Sequence, residues 1–243
     1  DTVAIMPVHV FGTACNVEKI EAIAKKHNLK VIYDAAHAIG STYKGKSLLQ
    51  YGDISATSLH ATKLFNTGEG GGCIAMDHLL YKKLQQLRFF GFDDNENVLC
   101  NGLNGKMTEL HAALGLANLR RLNEVIEDRR NKYKLYQSFL LHRDDIRWQL
   151  FDESSYNYSY MPIIFDTEDI LMNVLREMGK NNVFPRRYFY PSLNKFEQLK
   201  GSMMPISEDV SCRIACFPLY YGISENTIRD ICLLLIDVLD SVK

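Results

Sequence analysis

Apolar residues along the chain fall into short runs separated by glycine and charge. Thr2-Val-Ala-Ile-Met-Pro-Val-His-Val10 reads as a strand, and Phe11–Thr13 as a turn. Asn16 is placed to cap a helix through His27, with Ile20, Ile23 and Ala24 inward and Lys25 and Lys26 at its carboxyl end. Lys30-Val-Ile-Tyr33 is the next strand, closed by Asp34, so the chain opens as a β-α-β unit. Tyr43–Lys46 reads as a surface hairpin. Residues 53–60 are small and partly alternating, which predicts a buried strand ending near His60. A glycine-rich turn over 66–72 leads to a further strand at Cys73–Met76, and His78–Leu87 is helical. Residues 88–106 lack periodicity and form a long excursion of the kind that is usually functional or mobile. Thr108–Leu119 is a helix rich in small residues, and a charge-dense helix with an apolar stripe runs from Leu122 to about Leu141.

Past that helix the pattern changes. Tyr156–Phe165 reads as a strand, and Thr167 caps a helix closed by Gly179. Ala215–Tyr220 is a short strand, and Ser224 caps an amphipathic helix to Val242. The pattern therefore predicts α/β architecture with two domains: 1–128, part of a larger domain, and 129–243, a small α+β domain.

The composition, 47% hydrophobic and 23% charged over 243 residues, describes a globular protein. A net charge of -1 gives no basis for a nucleic-acid surface, and no apolar run approaches a membrane span. The opening residues lack the basic leader and apolar core of a signal peptide. Six cysteines (Cys15, Cys73, Cys100, Cys212, Cys216, Cys232) follow no pairing motif, which suits a reduced cytoplasm. Neither they nor the seven histidines show metal-ligand spacing, so no metal is expected.

The candidate chemistry centres on Ser58-Leu-His-Ala-Thr-Lys63. A lysine between two buried strands is costly to keep charged, and its neutral amine is a nucleophile for carbonyls. The plain alternative is a strand-end lysine with its amine in water. Asp34 changes the balance. Ligands of open α/β sheets sit beyond the carboxyl ends of strands, where Asp34 and the 58–63 loop would both lie. A carboxylate beside a carbonyl-binding lysine is what pyridoxal 5'-phosphate (PLP) needs, because the acid keeps the pyridine nitrogen protonated. Alone, Asp34 would read as a turn acid.

Asp34-Ala-Ala-His37 and Ser58-Leu-His-Ala-Thr-Lys63, in this order and spacing, resemble the DegT/DnrJ/EryC1/StrS family of PLP-dependent nucleotide-sugar aminotransferases, and the resemblance covers almost the whole chain. It implies the type I PLP-transferase fold, aspartate aminotransferase-like, with residues 1–128 as part of the PLP-binding domain. It implies Lys63 as the Schiff-base lysine, Asp34 at the pyridinium nitrogen, His37 (glutamine in many relatives) on the phenolic-oxygen side, and Ser58 at the phosphate. Relatives that are dehydratases carry histidine for the lysine, so Lys63 implies transamination, with glutamate as the amino donor. In the segment 102–109, Asn104 would reach the PLP phosphate of a neighbouring subunit, which implies a homodimer; Lys106 stands where many relatives have arginine. Family members also have a segment before the first strand seen here. The phosphate-cupping helix end and stacking aromatic that it supplies are not found in these residues, so the chain is expected to lack that part.

Arg186-Arg187-Tyr188-Phe189-Tyr190-Pro191 pairs guanidinium groups with aromatics, which suits a nucleotide diphosphate. Such a strip can also bind single-stranded nucleic acid, which the neutral charge opposes, or be a surface strand whose arginines pair with nearby acids. By the resemblance, Arg186, Arg187, Tyr188 and Tyr190 border the substrate pocket, and the wording is similar to members that aminate a 3-keto-6-deoxyhexose on a dTDP carrier. The expected function is transfer of an amino group to a nucleotide-linked keto-deoxysugar in sugar or polysaccharide biosynthesis. The other reading is a truncated, non-catalytic remnant or binding module of that family.

Overall fold

The first strand is shorter than its apolar run. In the computed structural model β1 covers only Ala4–Ile5, because Pro7 brings no amide proton to the ladder. Val8 then makes a single parallel bridge to Asp34, and Val10–Gly12 coils into a 3-10 turn. Helix α1 (Val17–His27) is capped by the Asn16 side chain, which accepts from the Lys19 amide, and it ends at Asn28 in the left-handed region at φ 52°. Strand β2 (Lys30–Asp34) follows, then the hairpin β3 (Thr42–Tyr43) and β4 (Lys46–Ser47). Strand β5 (Ile54–Ser58) pairs with β6 (Gly71–Ala75), and helices α2 (His78–Arg88) and α3 (Glu109–Leu119) follow.

The main sheet has the order β1-β2-β5-β6. β1, β2 and β5 are parallel and β6 is antiparallel to β5. Val17, Ala24, Val31 and Tyr33 form the core between α1 and the sheet, with Ile5, Ile20 and Leu29 packed around them.

The structure describes residues 1–199 and 201–241. They divide into two compact units, residues 1–126 with 151–159, and residues 127–150 with 160–199 and 201–241. Helix α4 (Leu122–Leu140) carries the chain from one to the other. Segment 151–159 lies beyond the division expected at 128/129, yet packs with the first unit. Buried Asn157 fastens it there by donating to the carbonyls of His37 and Ile39, both at 2.7 Å. Strand β8 consequently covers Met161–Phe165 and not the whole of 156–165, and Tyr158 has φ 54°.

The second unit is the expected α+β arrangement. Strands β7 (Ile146–Trp148), β8 and β9 (Ile214–Phe217) form an antiparallel sheet in that order. Helix α5 (Glu168–Lys180) is capped by Thr167, and α7 (Glu225–Asp240) by Ser224. Val242, the expected end of the last helix, lies outside the described residues. Helix α6 (Pro205–Arg213), started by a proline in its first turn, was not read from the pattern. Tyr136, Phe165, Leu171, Met178, Ile228 and Leu235 fill the core.

Candidate active site

Asp34 ends β2 at the carboxyl edge of the parallel strands. Its partner in the register is Ala56, so Ser58 stands two residues further along β5 at the same edge. Asp34 Oδ1 accepts from the Ala36 amide at 3.0 Å, which orients the carboxyl. Its backbone is held on both sides, the amide donating to Pro7 and the carbonyl accepting from His9.

His37 is buried, and its Nδ1 accepts from the Phe11 amide at 3.1 Å. A neutral ring with Nδ1 as acceptor carries its proton on Nε2, so His37 is a hydrogen-bond donor there. Burial, with help from the Lys63 charge and against the Asp34 charge, lowers its pKa to about 4, so the ring is neutral near pH 7. Phe11 sits at φ 57° and lies parallel to the His37 ring. A non-glycine residue in that region persists only where its surroundings hold it.

The next residue is Gly12, at φ 90°. A Cβ there would lie 2.4 Å from Asn157 Oδ1 and 2.8 Å from the His37 carbonyl. Gly12→Ala should therefore destabilise the first unit by about 3 kcal/mol, from left-handed strain and overpacking. Urea unfolding checks this, and an unchanged midpoint would refute it.

Lys63 is half-buried in the connection between β5 and β6. That connection closes on itself: Leu59 donates to the Gly70 carbonyl and Thr67 to the Leu59 carbonyl, both at 2.9 Å. The Lys63 amide donates to the His60 carbonyl at 2.9 Å, and its own carbonyl accepts from Asn66 Nδ2 at 3.4 Å. Ser58 Oγ accepts from the His60 amide at 3.3 Å. The first unit thus brings Asp34, His37 and Lys63 within electrostatic reach and sets Ser58 on the same edge.

Asn104 lies elsewhere in that unit. It is exposed on the 88–106 excursion, where its backbone bridges Phe89. The arginine-tyrosine strip belongs to the second unit. Arg186 pairs its backbone with Cys216, and its guanidinium carbon lies 4.2 Å from the Tyr188 ring centre. Arg187 stacks over Tyr190 at 3.4 Å, while its guanidinium binds Glu168 and donates to the Cys212 carbonyl at 2.8 Å. The ion pair with a nearby acid is thus present for Arg187, and Arg186 is the exposed member of the two.

His9 was missed by the sequence reading. It is fully buried, stacks on Tyr33 at 4.5 Å, and accepts the Cys15 amide on Nδ1 at 3.1 Å. Its Nε2 therefore carries the proton, and that buried atom has no hydrogen-bond partner among the described residues. Burial lowers the pKa to about 4, against the charge of Asp34. The signal was a histidine within an apolar run beside the strand that ends in Asp34.

The parallel edge, the lysine loop and the small second sheet define the type I PLP-transferase architecture. A model of the DegT/DnrJ/EryC1/StrS aminotransferase family matches residues 1–235, and the chain belongs to that family. It is 35% identical over 239 residues to the dTDP-4-amino-4,6-dideoxy-D-glucose transaminase of Shigella dysenteriae, covering 94% of this chain and 64% of that protein. It is 30% identical over 244 residues to the GDP-perosamine synthase of Vibrio cholerae, covering 95% of this chain and 65% of that protein. Among solved structures, DesI in the presence of its TDP-sugar product superposes with a TM-score of 0.89 at 30% identity, covering 96% of this chain and 62% of that one. The chain therefore spans a little under two thirds of the length of these relatives.

Proposed function

We propose that this chain carries the catalytic lysine of a PLP-dependent aminotransferase that moves an amino group from glutamate to a nucleotide-linked keto-deoxysugar. The observation that carries this reading is that Asp34 and Ser58 share one sheet edge, with buried His37 within reach of the charges of both Lys63 and Asp34. The donor set fits PLP. Asp34 has one oxygen occupied by the Ala36 amide and offers the other to a protonated ring nitrogen. His37 offers Nε2–H to the phenolic oxygen, Ser58 its hydroxyl to the phosphate, and Lys63 its amine to the carbonyl carbon. When bound, PLP supplies an electron-accepting ring that stores the amino group between donor and acceptor.

The residues divide the remaining work. Asp34 keeps a proton on the ring nitrogen. His37, neutral near pH 7, stabilises negative charge on the phenolic oxygen without surrendering its own proton. The Lys63 amine anchors the cofactor and then moves a proton to and from the substrate carbon. Asp34→Asn keeps the shape and removes the charge, so turnover should fall by about a hundredfold or more. Steady-state assay checks this, and an undiminished rate would refute the role.

The Shigella relative's name puts its amino group on carbon 4 of a 4,6-dideoxy sugar. That favours a 4-keto-6-deoxyhexose on a dTDP carrier over the 3-keto sugar expected from the arginine-tyrosine wording. In this reading Arg186 binds the diphosphate and Tyr188 and Tyr190 offer ring faces, while Arg187 braces the strip through Glu168. Asn104 contributes to the phosphate of a second copy. The homodimer is supported by α3, which leaves Leu110 84% and Leu116 65% exposed. No helix among the described residues is long and apolar enough to cross a membrane. The reduced cytoplasm is the inferred compartment, supported by the six cysteines all being free thiols.

The test is a visible absorption titration of the 243-residue chain with PLP, followed by assay with glutamate and dTDP-4-keto-6-deoxyglucose. A saturable band and amino-sugar product are expected. Absence of both would overturn the proposal.

A further inference from the structure

Helix α3 has two unlike faces. Leu110 and Leu116 point outward. The other face lies along the lysine loop, and its residues meet that loop in reverse order. Met107, just before the helix, stands so close that a Cβ on Gly70 would lie 2.7 Å from its Cε. His111 and Leu114 lie against Gly68, at 3.4 Å and 3.7 Å from a Cβ placed there. A Cβ at Gly115 would in turn lie 2.7 Å from Thr67 Cγ2, and Thr67 is buried. Asn118 closes the series by donating from Nδ2 to the Asn66 carbonyl at 2.9 Å. Positions 111, 115 and 118 form one stripe of the helix, and Met107 precedes it. Their partners, 70, 68, 67 and 66, are the return limb of the loop that carries Lys63.

The contact continues inward. Asn66, held by Asn118, donates its own Nδ2 to the Lys63 carbonyl at 3.4 Å, and its Oδ1 accepts from the Gly68 amide at 3.3 Å. Thr67 donates its hydroxyl to the Glu69 carbonyl at 2.6 Å and its amide to the Leu59 carbonyl. Asn118 therefore reaches the lysine backbone through one intervening residue.

We propose that Asn118 is a positioning residue for Lys63, acting through Asn66, and that α3 is the rigid rail on which the lysine loop is set. The inference rests on the reading of Lys63 as the cofactor-binding amine, since only then does its placement matter to a reaction. A reactive group on a loop reaches precise placement when a regular element holds its supporting shell. Gly115 belongs to the same device, because any side chain there would push α3 off Thr67.

The test uses the 243-residue chain, three single variants and the double asparagine variant. Asn118→Asp keeps size and removes the amide donor. Asn66→Asp removes the donor to Lys63 and is the second route should Asn118→Asp fold poorly. Lys63→Ala tests the underlying reading. Hydrogen exchange of the segment 59–70 should speed up about fivefold in either asparagine variant, the loss of roughly one hydrogen bond. Exchange in α1 should stay as in the parent chain. Lys63 acetylation, measured against Lys82 as an internal reference, should change its rate and pH profile in both variants. In PLP titrations the asparagine variants should keep the absorption band with about fivefold weaker half-saturation, and the double variant should be no weaker than the worse single one.

Unchanged loop exchange together with an unchanged Lys63 labelling profile would overturn the proposal. A band that survives Lys63→Ala would overturn the cofactor reading instead. The exchange and labelling results would still decide the link from Asn118 to Lys63, because neither needs PLP.

Discussion

Lys63→Ala should abolish the PLP absorption band and lower turnover by at least about a thousandfold. The amine would serve twice, as the covalent anchor and as the group that carries the proton, and removal of a positioned acid-base group alone costs about 10²–10⁴ in rate. Stability should barely change, because the side chain is half-buried on a connecting loop and outside the apolar clusters. The neighbouring effect is specific. The Lys63 charge helps to hold His37 below its ordinary range, so the His37 pKa should rise in the variant. An NMR titration of the histidine ring protons reads this directly. A variant with the parent's band and turnover, or with an unmoved His37, would refute the placement.

Mild acid should destabilise the first unit by about 6 kcal/mol between pH 6.5 and pH 4. His9 and His37 both titrate at about 4 in the folded chain, chiefly because burial penalises the charged ring. In the unfolded chain each returns to about 6.5. Near pH 7 both states are neutral and no penalty exists. As the pH falls through 6.5 the unfolded chain takes up two protons that the folded chain refuses, so stability falls. Below about pH 4 both states are protonated and the decline levels off. Each depressed histidine contributes about 3 kcal/mol over that window. Hydrogen exchange of β2 amides between pH 7 and pH 4.5, corrected for intrinsic rates, checks the slope. His9→Asn keeps an acceptor for the Cys15 amide and removes one titrating ring, so it should about halve the slope. A flat profile in the parent chain would refute the account.

Much of the fold follows from local chemistry. Asn16, Thr108, Thr167 and Ser224 were each legible as helix starts, and each side chain accepts an amide of its own first turn. The hairpin at Tyr43–Lys46 needed only its glycine, since Lys44 at φ 49° and Gly45 at φ 77° make the tight turn. The candidate site was legible to the extent that it sits in two short motifs at strand ends. Asp34 and Lys63 stand out because a carboxylate and an amine at such ends are chemically conspicuous.

What escaped depends on partners far away in the chain. The apolar run 2–10 has strand composition along its whole length, yet Pro7 ends the ladder and the Phe11 amide is taken by His37, 26 residues on. The aromatic run 156–160 has strand composition as well, and Asn157 instead donates to carbonyls about 120 residues earlier. His9 looked like one polar residue in an apolar strand; only the tertiary structure shows it buried, stacked on Tyr33 and within reach of the Asp34 charge. Asn118 and Gly115 looked like ordinary helix positions until the loop at 66–70 lay against them. By itself the sequence determined most of the helices, their caps and the two motifs that carry the candidate groups, because those depend on residues a few positions apart. The tertiary structure alone decided which polar atoms lose their water and which distant backbone groups take them up. That choice sets the proton positions on His9 and His37 and the seating of Lys63.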